Sequence, residues 1–356
     1  MVRKIIKILR RYSRVVQIVL LLSFLAVGVA VLNGQKSELS GAFALISRAK
    51  ITPIIFAVLS ECLSIVTFGI FNYLLLKIAV KPLGWIRPTV ISMAATTLNN
   101  SIPGGAAVSS VYAFRQYREL GADRSFSTWV VVAVNILSGL ALASLALLGV
   151  ALSFRISQGL DLIFVIVSIS LGLLVLAAGI SNPKFIVRVE RTFVEVAYRL
   201  TSMVRRDTGG FNLPSRHYFN AKPTLSNVIS AITFALLNWI FDAAVLVLAY
   251  VSIGQPVPWA GLLLAYGAGQ LAANFPITPG GLGVVEGSLA IALVAYGGAQ
   301  ESAVAAVLIY RLISYWMTMP FGWVAYAYTV LKRNSRNSQT SMTANGCNRT
   351  SNYHAG

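Results

Sequence analysis

Apolar residues in this chain do not alternate with polar ones; they run in long blocks separated by short basic segments. About 20 apolar residues in a helix cross about 30 Å of hydrocarbon. On that measure the blocks at 15–32, 51–80, 129–152, 160–180, 227–252 and 302–331 each read as a full span. Two further blocks, 88–117 and 259–296, are interrupted near their centres by Pro-Gly-Gly. Their arms, about 15 residues each, are short for independent spans. The pattern therefore predicts an all-α polytopic integral membrane bundle of about six full spans plus two broken hairpins.

The interruptions also mark a repeat. SIPGGAAV at 101–108 and ITPGGLGV at 277–284 share Pro-Gly-Gly, with Pro103 and Pro279 separated by 176 residues. The flanking spans keep that offset to within a few residues, which defines repeat A (51–155) and repeat B (227–331). Each unit is span, hairpin, span. With six full spans the two hairpins enter from opposite sides, so the repeat is inverted. In transporters built this way the site lies near the midplane, where broken helices of the two repeats meet.

Composition and charge sharpen the picture. Of 356 residues 56% are hydrophobic and only 11% charged, with a mean hydropathy of +0.73. Soluble domains carry about 25% charged residues. The net charge of +18 could by itself suggest a polyanion partner, but the basic residues cluster between apolar blocks, where they orient a membrane protein. With N- and C-termini placed in the cytoplasm of a plasma-membrane protein, cytoplasmic segments hold 24 Lys and Arg and external loops 4. No nucleic-acid role is expected. The basic segment 1–14 precedes an apolar block that reads as an uncleaved anchor. Segment 184–206 has apolar residues at helical spacing with arginines between them, which suits either a cytoplasmic helix on an anionic leaflet or an extension of the preceding span. The polar tail 332–356 reads as disordered. Two cysteines, Cys62 and Cys347, and two histidines, His217 and His354, form no ligand cluster. Neither a metal nor another cofactor is expected.

In hydrocarbon every backbone N–H and C=O needs a partner, so a Pro-Gly-Gly break is tolerable only where it is buried in protein or faces a wet cavity. The candidate binding elements are therefore Pro103, Gly104 and Gly105 in the first hairpin and Pro279, Gly280, Gly281 and Gly283 in the second. The helix that restarts near Leu282 would aim its N-terminal amides at the midplane, a favourable place for an anion such as a lipid phosphate. The run GGLGVVEG looks superficially like a nucleotide loop, but it lacks the preceding strand that reading requires. Four ionisable residues, Glu61, Asp242, Glu286 and Arg311, each fall nine or ten residues from the external end of their segment. That is a common depth of about 15 Å at 1.5 Å per residue. Glu286 and Arg311 read either as a structural ion pair or as parts of a site in which Arg311 holds phosphate. The two readings are compatible. Asn135, Asn238 and Asn274 are weaker candidates, more often interhelical hydrogen bonds.

The run PITPGGLGVVE (276–286), followed by Tyr310-Arg311-Leu312, resembles the membrane region of lysylphosphatidylglycerol synthases and the related flippase-like family. The resemblance implies handling of an anionic phospholipid or lipid-linked saccharide, including translocation between leaflets. Those synthases carry a soluble aminoacyl-transfer domain, whereas only 25 polar residues follow Leu331, so synthase activity is not carried over. The first motif has Ala107 and Ser110 where the second has Gly283 and Glu286, which predicts an asymmetric site. The leading expectation is a lipid translocase, driven by a gradient or running downhill, with membrane lipids as its partners. The alternatives are a membrane-embedded headgroup or polyprenyl-phosphate glycosyl transferase, and a non-transporting partner of a separate lipid-modifying enzyme.

Overall fold

Helix boundaries in this chain follow from its breakers and caps. A computed structural model describes residues 36–81, 83–102, 104–153, 224–273 and 278–332. The blocks expected as spans at 15–32 and 160–180, segment 184–206 and the tail beyond 332 lie outside these. Among the described residues the chain is helical without strands: α1 (Lys36–Ser47), α2 (Ile51–Leu76), α3 (Ile86–Ser101), α4 (Gly105–Glu119), α5 (Arg124–Ser153), α6 (Leu225–Ser252), α7 (Trp259–Ala273), α8 (Val284–Ala295) and α9 (Gln300–Lys332). Pro53 and Pro88 sit in the first turns of α2 and α3, where a missing N–H costs nothing. Asp123 caps α5 by accepting from the Phe126 amide at 2.6 Å, and Thr224 caps α6 by accepting from Asn227. α3 stops at Ser101, just before Ile102-Pro103, as the steric restriction on a pre-proline residue requires.

Four of these helices are long and apolar enough to cross a membrane: Ile51–Leu76, Arg124–Val150, Leu225–Ser252 and Gln300–Lys332. α3, α4, α7 and α8 are 16, 15, 15 and 12 residues long. α3 folds back on α4, and α7 on α8. α1, expected as an external loop, is a short helix lying on α9. Its Gly41 is so close that a Cβ there would fall 2.5 Å from the Glu301 carboxyl carbon. Its sequence KSELSGAFALIS is too short and too polar to span, and among its residues of described burial only Ala42 is fully covered.

α2 and α6, the opening spans of the two repeats, form the central antiparallel pair. The Lys50 amide donates to the Ser252 carbonyl at 2.7 Å, which sets the start of α2 level with the end of α6. Ser60 Oγ then reaches the Phe241 carbonyl at 2.8 Å, and Asn238 Nδ2 reaches Ser64 Oγ at 2.8 Å. The remaining contacts pair crosswise. α5 of the first repeat packs on α7 of the second, with Gly149 against Leu263 and Leu264 and Gly267 against Ala146. The C-terminal part of α9 packs on the first hairpin, with Gly322 against Thr97 and Tyr112 Oη 2.8 Å from Thr329 Oγ1.

The apolar core is split in two. One cluster, around Leu246, Tyr250, Leu262, Leu289 and Ala306, fills the end that holds the α8–α9 turn. The other, around Phe71, Leu75, Tyr117, Trp129 and Val228, fills the opposite end. On α2 the first cluster stops at Ala57 and the second starts at Phe71; on α6 the gap runs from Ala235 to Ala243. On these two helices Ser60, Glu61, Ser64, Thr67, Asn238 and Asp242 occupy that gap.

Candidate functional site

Two polar constellations meet in this middle layer. The first is built on the second hairpin. A short 3-10 turn at Pro279–Gly281 leads into α8, and Gly280, Gly281 and Gly283 have positive φ. At Gly280 the φ of +57° is matched by crowding: a Cβ would lie 2.3 Å from the Tyr315 ring and 3.0 Å from the Asn100 carbonyl oxygen. Only glycine lets the turn approach the tip of the first hairpin so closely. Tyr315 Oη donates to that same Asn100 carbonyl at 2.9 Å. The two hairpin tips are thus joined through α9.

Glu286, three residues into α8, folds back so that Oε2 accepts from the Gly283 amide at 2.6 Å. Its Oε1 accepts from Arg311 Nε at 2.7 Å. Arg311 Nη2 donates to the Gly280 carbonyl at 3.0 Å, and the guanidinium lies over the Tyr315 ring at 4.4 Å. Arg311 is buried, at 7% exposure. Directly after the arginine the winding of α9 changes to a π-helix over Leu312–Met317, the stretch that carries Tyr315. Such insertions are rare and concentrate at functional sites.

The N-terminus of α8 is where a favourable place for an anion was expected; there the Gly283 amide donates to the protein's own Glu286 carboxylate. The first hairpin has no such device. α4 starts at Gly105 behind Gly104, which is exposed and left-handed at φ +70°, with no side-chain cap and no acidic residue in its first turn. Ser110, at the position corresponding to Glu286, hydrogen-bonds within its own helix to Ala106. The expected asymmetry lies in this difference.

The second constellation centres on Asp242. Its Oδ2 accepts from Tyr266 Oη, from Tyr310 Oη at 2.8 Å and from Gln270 Nε2 at 3.3 Å. Gln270 Nε2 also donates to Tyr310 Oη at 2.6 Å. Across the α2–α6 seam, next to the Ser60–Phe241 hydrogen bond, the Glu61 carboxyl neighbours that of Asp242. Glu61 is 5% exposed. Its Oε2 is buried without a hydrogen-bond partner among the described residues.

Of the residues singled out in the sequence, the structure thus brings Glu61 to Asp242, Glu286 to Arg311, and Gly280 to the first hairpin. Gly104 and Gly105 form the turn into α4; Gly281 is buried beside Ala273 and Gly283 starts α8. Pro279 opens the 3-10 turn, while Pro103 and Asn274 lie outside the described residues. Asn238 makes the interhelical bond to Ser64. Asn135 is exposed and bonds to Val131 within α5. The sequence reading missed Tyr266, Gln270 and Tyr315. All three are uncharged residues in apolar blocks; only the spacing of Gln270 and Tyr266, four residues apart on one helix face, offered a signal. A separate recess lined by Arg87, Gln116, Tyr328 and Lys332 lies at the far end of α9. It is 21 residues from Arg311 along that helix, or about 30 Å.

A helical bundle with broken hairpins and ionisable residues buried in its middle layer defines a polytopic membrane protein. The chain belongs to the family of the lysylphosphatidylglycerol synthase transmembrane region, whose model it matches over residues 14–322. That match includes both Pro-Gly-Gly motifs and the Tyr310-Arg311-Leu312 triplet. The chain is also similar to a UPF0104 membrane protein of Methanothermobacter thermautotrophicus, with 26% identity over 251 residues, 67% of this chain and 73% of that one.

Proposed function

We propose that this protein is a lipid translocase that passes an anionic headgroup, of a phospholipid or a lipid-linked saccharide, through the junction of the two hairpin tips. The observation that carries the reading is Arg311, a buried cation held between two backbone breaks by Glu286, the Gly280 carbonyl and the Tyr315 ring. A lipid phosphate competes there with the Glu286 carboxylate for the guanidinium, whose planar fork suits a phosphate. The uncapped first turn of α4, on the neighbouring tip, adds amide donors of the right sign. Membership of a lipid-synthase membrane family supports a lipid as the cargo.

Reconstitution into liposomes carrying fluorescent lipids tests this directly. Anionic or polyprenyl-phosphate lipids are expected to cross faster than in protein-free vesicles. Equal rates across anionic, zwitterionic and polyprenyl lipids, with and without protein, would remove the reading. The accompanying orientation is that of a plasma-membrane protein with cytoplasmic termini. Single cysteines at Gln255 and Gly298 are then expected to label from outside intact cells and those at Arg87 and Arg118 only after permeabilisation. Opposite labelling within either pair contradicts the inverted arrangement.

A further inference from the structure

The Arg311 centre does not use the Glu61–Asp242 pair, whose chemistry is unusual for a membrane interior. Two carboxyl groups are neighbours there, Glu61 buried and Asp242 partly so, and neither has a cationic partner among the described residues. The nearest cation, Arg311, is committed to Glu286 and the Gly280 carbonyl. Carboxylates this close cannot both be ionised, so the pair holds a proton. The hydrogen bonds say where. Asp242 Oδ2 accepts from three donors on α7 and α9, namely Tyr266, Gln270 and Tyr310, which marks Asp242 as the carboxylate. Two neighbouring carboxyl groups share a proton as donor and acceptor, and the better-supplied anion, Asp242, leaves that proton on Glu61.

The rest of the surroundings agree. α2 otherwise offers Ser60, bonded to Phe241, and Ser64, bonded to Asn238, with Cys62 on an exposed face. α5 carries no titratable side chain except Arg124 at its far end, and Glu286 on α8 faces Arg311 instead. Nothing in the described shell replaces the proton. The unpartnered Oε2 fits a neutral acid, because a buried anion would demand donors on both oxygens. Tyr310, which donates to Asp242, directly precedes Arg311 in α9. Loss of the proton therefore places a second negative charge beside the residue that neighbours the cation, and weakens its hold on any other anion.

We propose that Glu61 and Asp242 share one exchangeable proton, and that its release to one side and uptake from the other couple lipid movement at Arg311 to a proton gradient. The O–H bond of Glu61 breaks, the proton passes to water, and the two carboxylates separate until one is reprotonated. The coupling rests on the translocase reading above; the proton site does not.

Two measurements on the full-length protein separate these parts. In proteoliposomes an imposed pH difference is expected to change the lipid translocation rate, by up to about tenfold per pH unit. Glu61→Gln, neutral at every pH, is expected to lose that response whatever its own rate. Infrared spectroscopy in lipid nanodiscs at neutral pH is expected to show a protonated-carboxyl C=O band in the wild type that is missing from Glu61→Gln. Should that variant fail to express, Asp242→Asn serves for the rate comparison, and deuterium exchange of the wild-type band replaces the subtraction. Lipid movement indifferent to the pH difference, or responding to a sodium gradient instead, overturns the coupling. If the wild type moves no lipid, the translocase reading and the coupling fall together. A wild type without the band overturns the proton site on its own.

Discussion

Arg311→Met is expected to give a protein that accumulates poorly and melts early, with no lipid translocation. Removing one partner of a buried pair leaves the other charge uncompensated, and such changes cost about 3–5 kcal/mol. Here the orphaned group is Glu286, which keeps its bond from the Gly283 amide but loses the one at 2.7 Å from Arg311. The double variant Arg311→Met with Glu286→Met removes both charges and is expected to recover most of the lost stability. Recovery of stability without recovery of translocation identifies Arg311 as the cation that holds the headgroup. Full activity in the double variant would remove it from the site. Arg311→Lys is expected to fall between, because it keeps the charge and loses the fork and the stacking on Tyr315. The measurements are the detergent-solubilised melting temperature and the liposome rate, taken on the same preparations.

Gly280→Ala is expected to be nearly as damaging, and for a reason unconnected with charge. An L residue forced to a left-handed φ costs about 1–2 kcal/mol. At Gly280 the added carbon also lands 2.3 Å from the Tyr315 ring and 3.0 Å from the Asn100 carbonyl oxygen, so the hairpin tips must part. Gly104→Ala is the control: its φ is +70°, but among the described residues beyond its chain neighbours no atom lies within 4 Å of the new carbon. A thermal shift for Gly280→Ala several times that for Gly104→Ala is expected. Equal shifts would mean that backbone conformation alone matters and that the tips are not packed as described.

Much of the middle layer was legible because charge in an apolar block is conspicuous. Glu61, Asp242, Glu286 and Arg311 stand out against their surroundings, and counting residues from helix ends placed them at one depth. Counting works because straight helices advance uniformly, and the Lys50–Ser252 hydrogen bond ties the two central helices at the end from which the count begins. What counting does not give is rotation about each helix axis. It could not show that Glu61 turns to Asp242 rather than to Glu286, nor that two tyrosines and a glutamine converge on Asp242. The self-capping of α8 was not legible for a related reason. Free helix amides attract any anion, and Glu286, three residues into the helix, is close enough to fold back onto its own start. α1 escaped notice because its twelve residues carry neither a long apolar block nor a regular stripe; it is packed on α9.

The π-helical stretch at Leu312–Met317 fixes an angular phase. The part of α9 before it carries Ala303, Ala306 and Tyr310 into one apolar core; the part after it sets Gly322 on Thr97 and Thr329 on Tyr112 in the first hairpin. Each residue of an α-helix advances about 100° around the axis. Losing one residue from the stretch would therefore swing the whole C-terminal part by roughly that amount and turn Gly322 away from Thr97. Replacing the exposed Leu312 or Trp316 leaves the angle untouched. The segment is constrained in residue number more strictly than in residue type, so insertions and deletions there carry consequences that a comparison of side chains alone would not disclose.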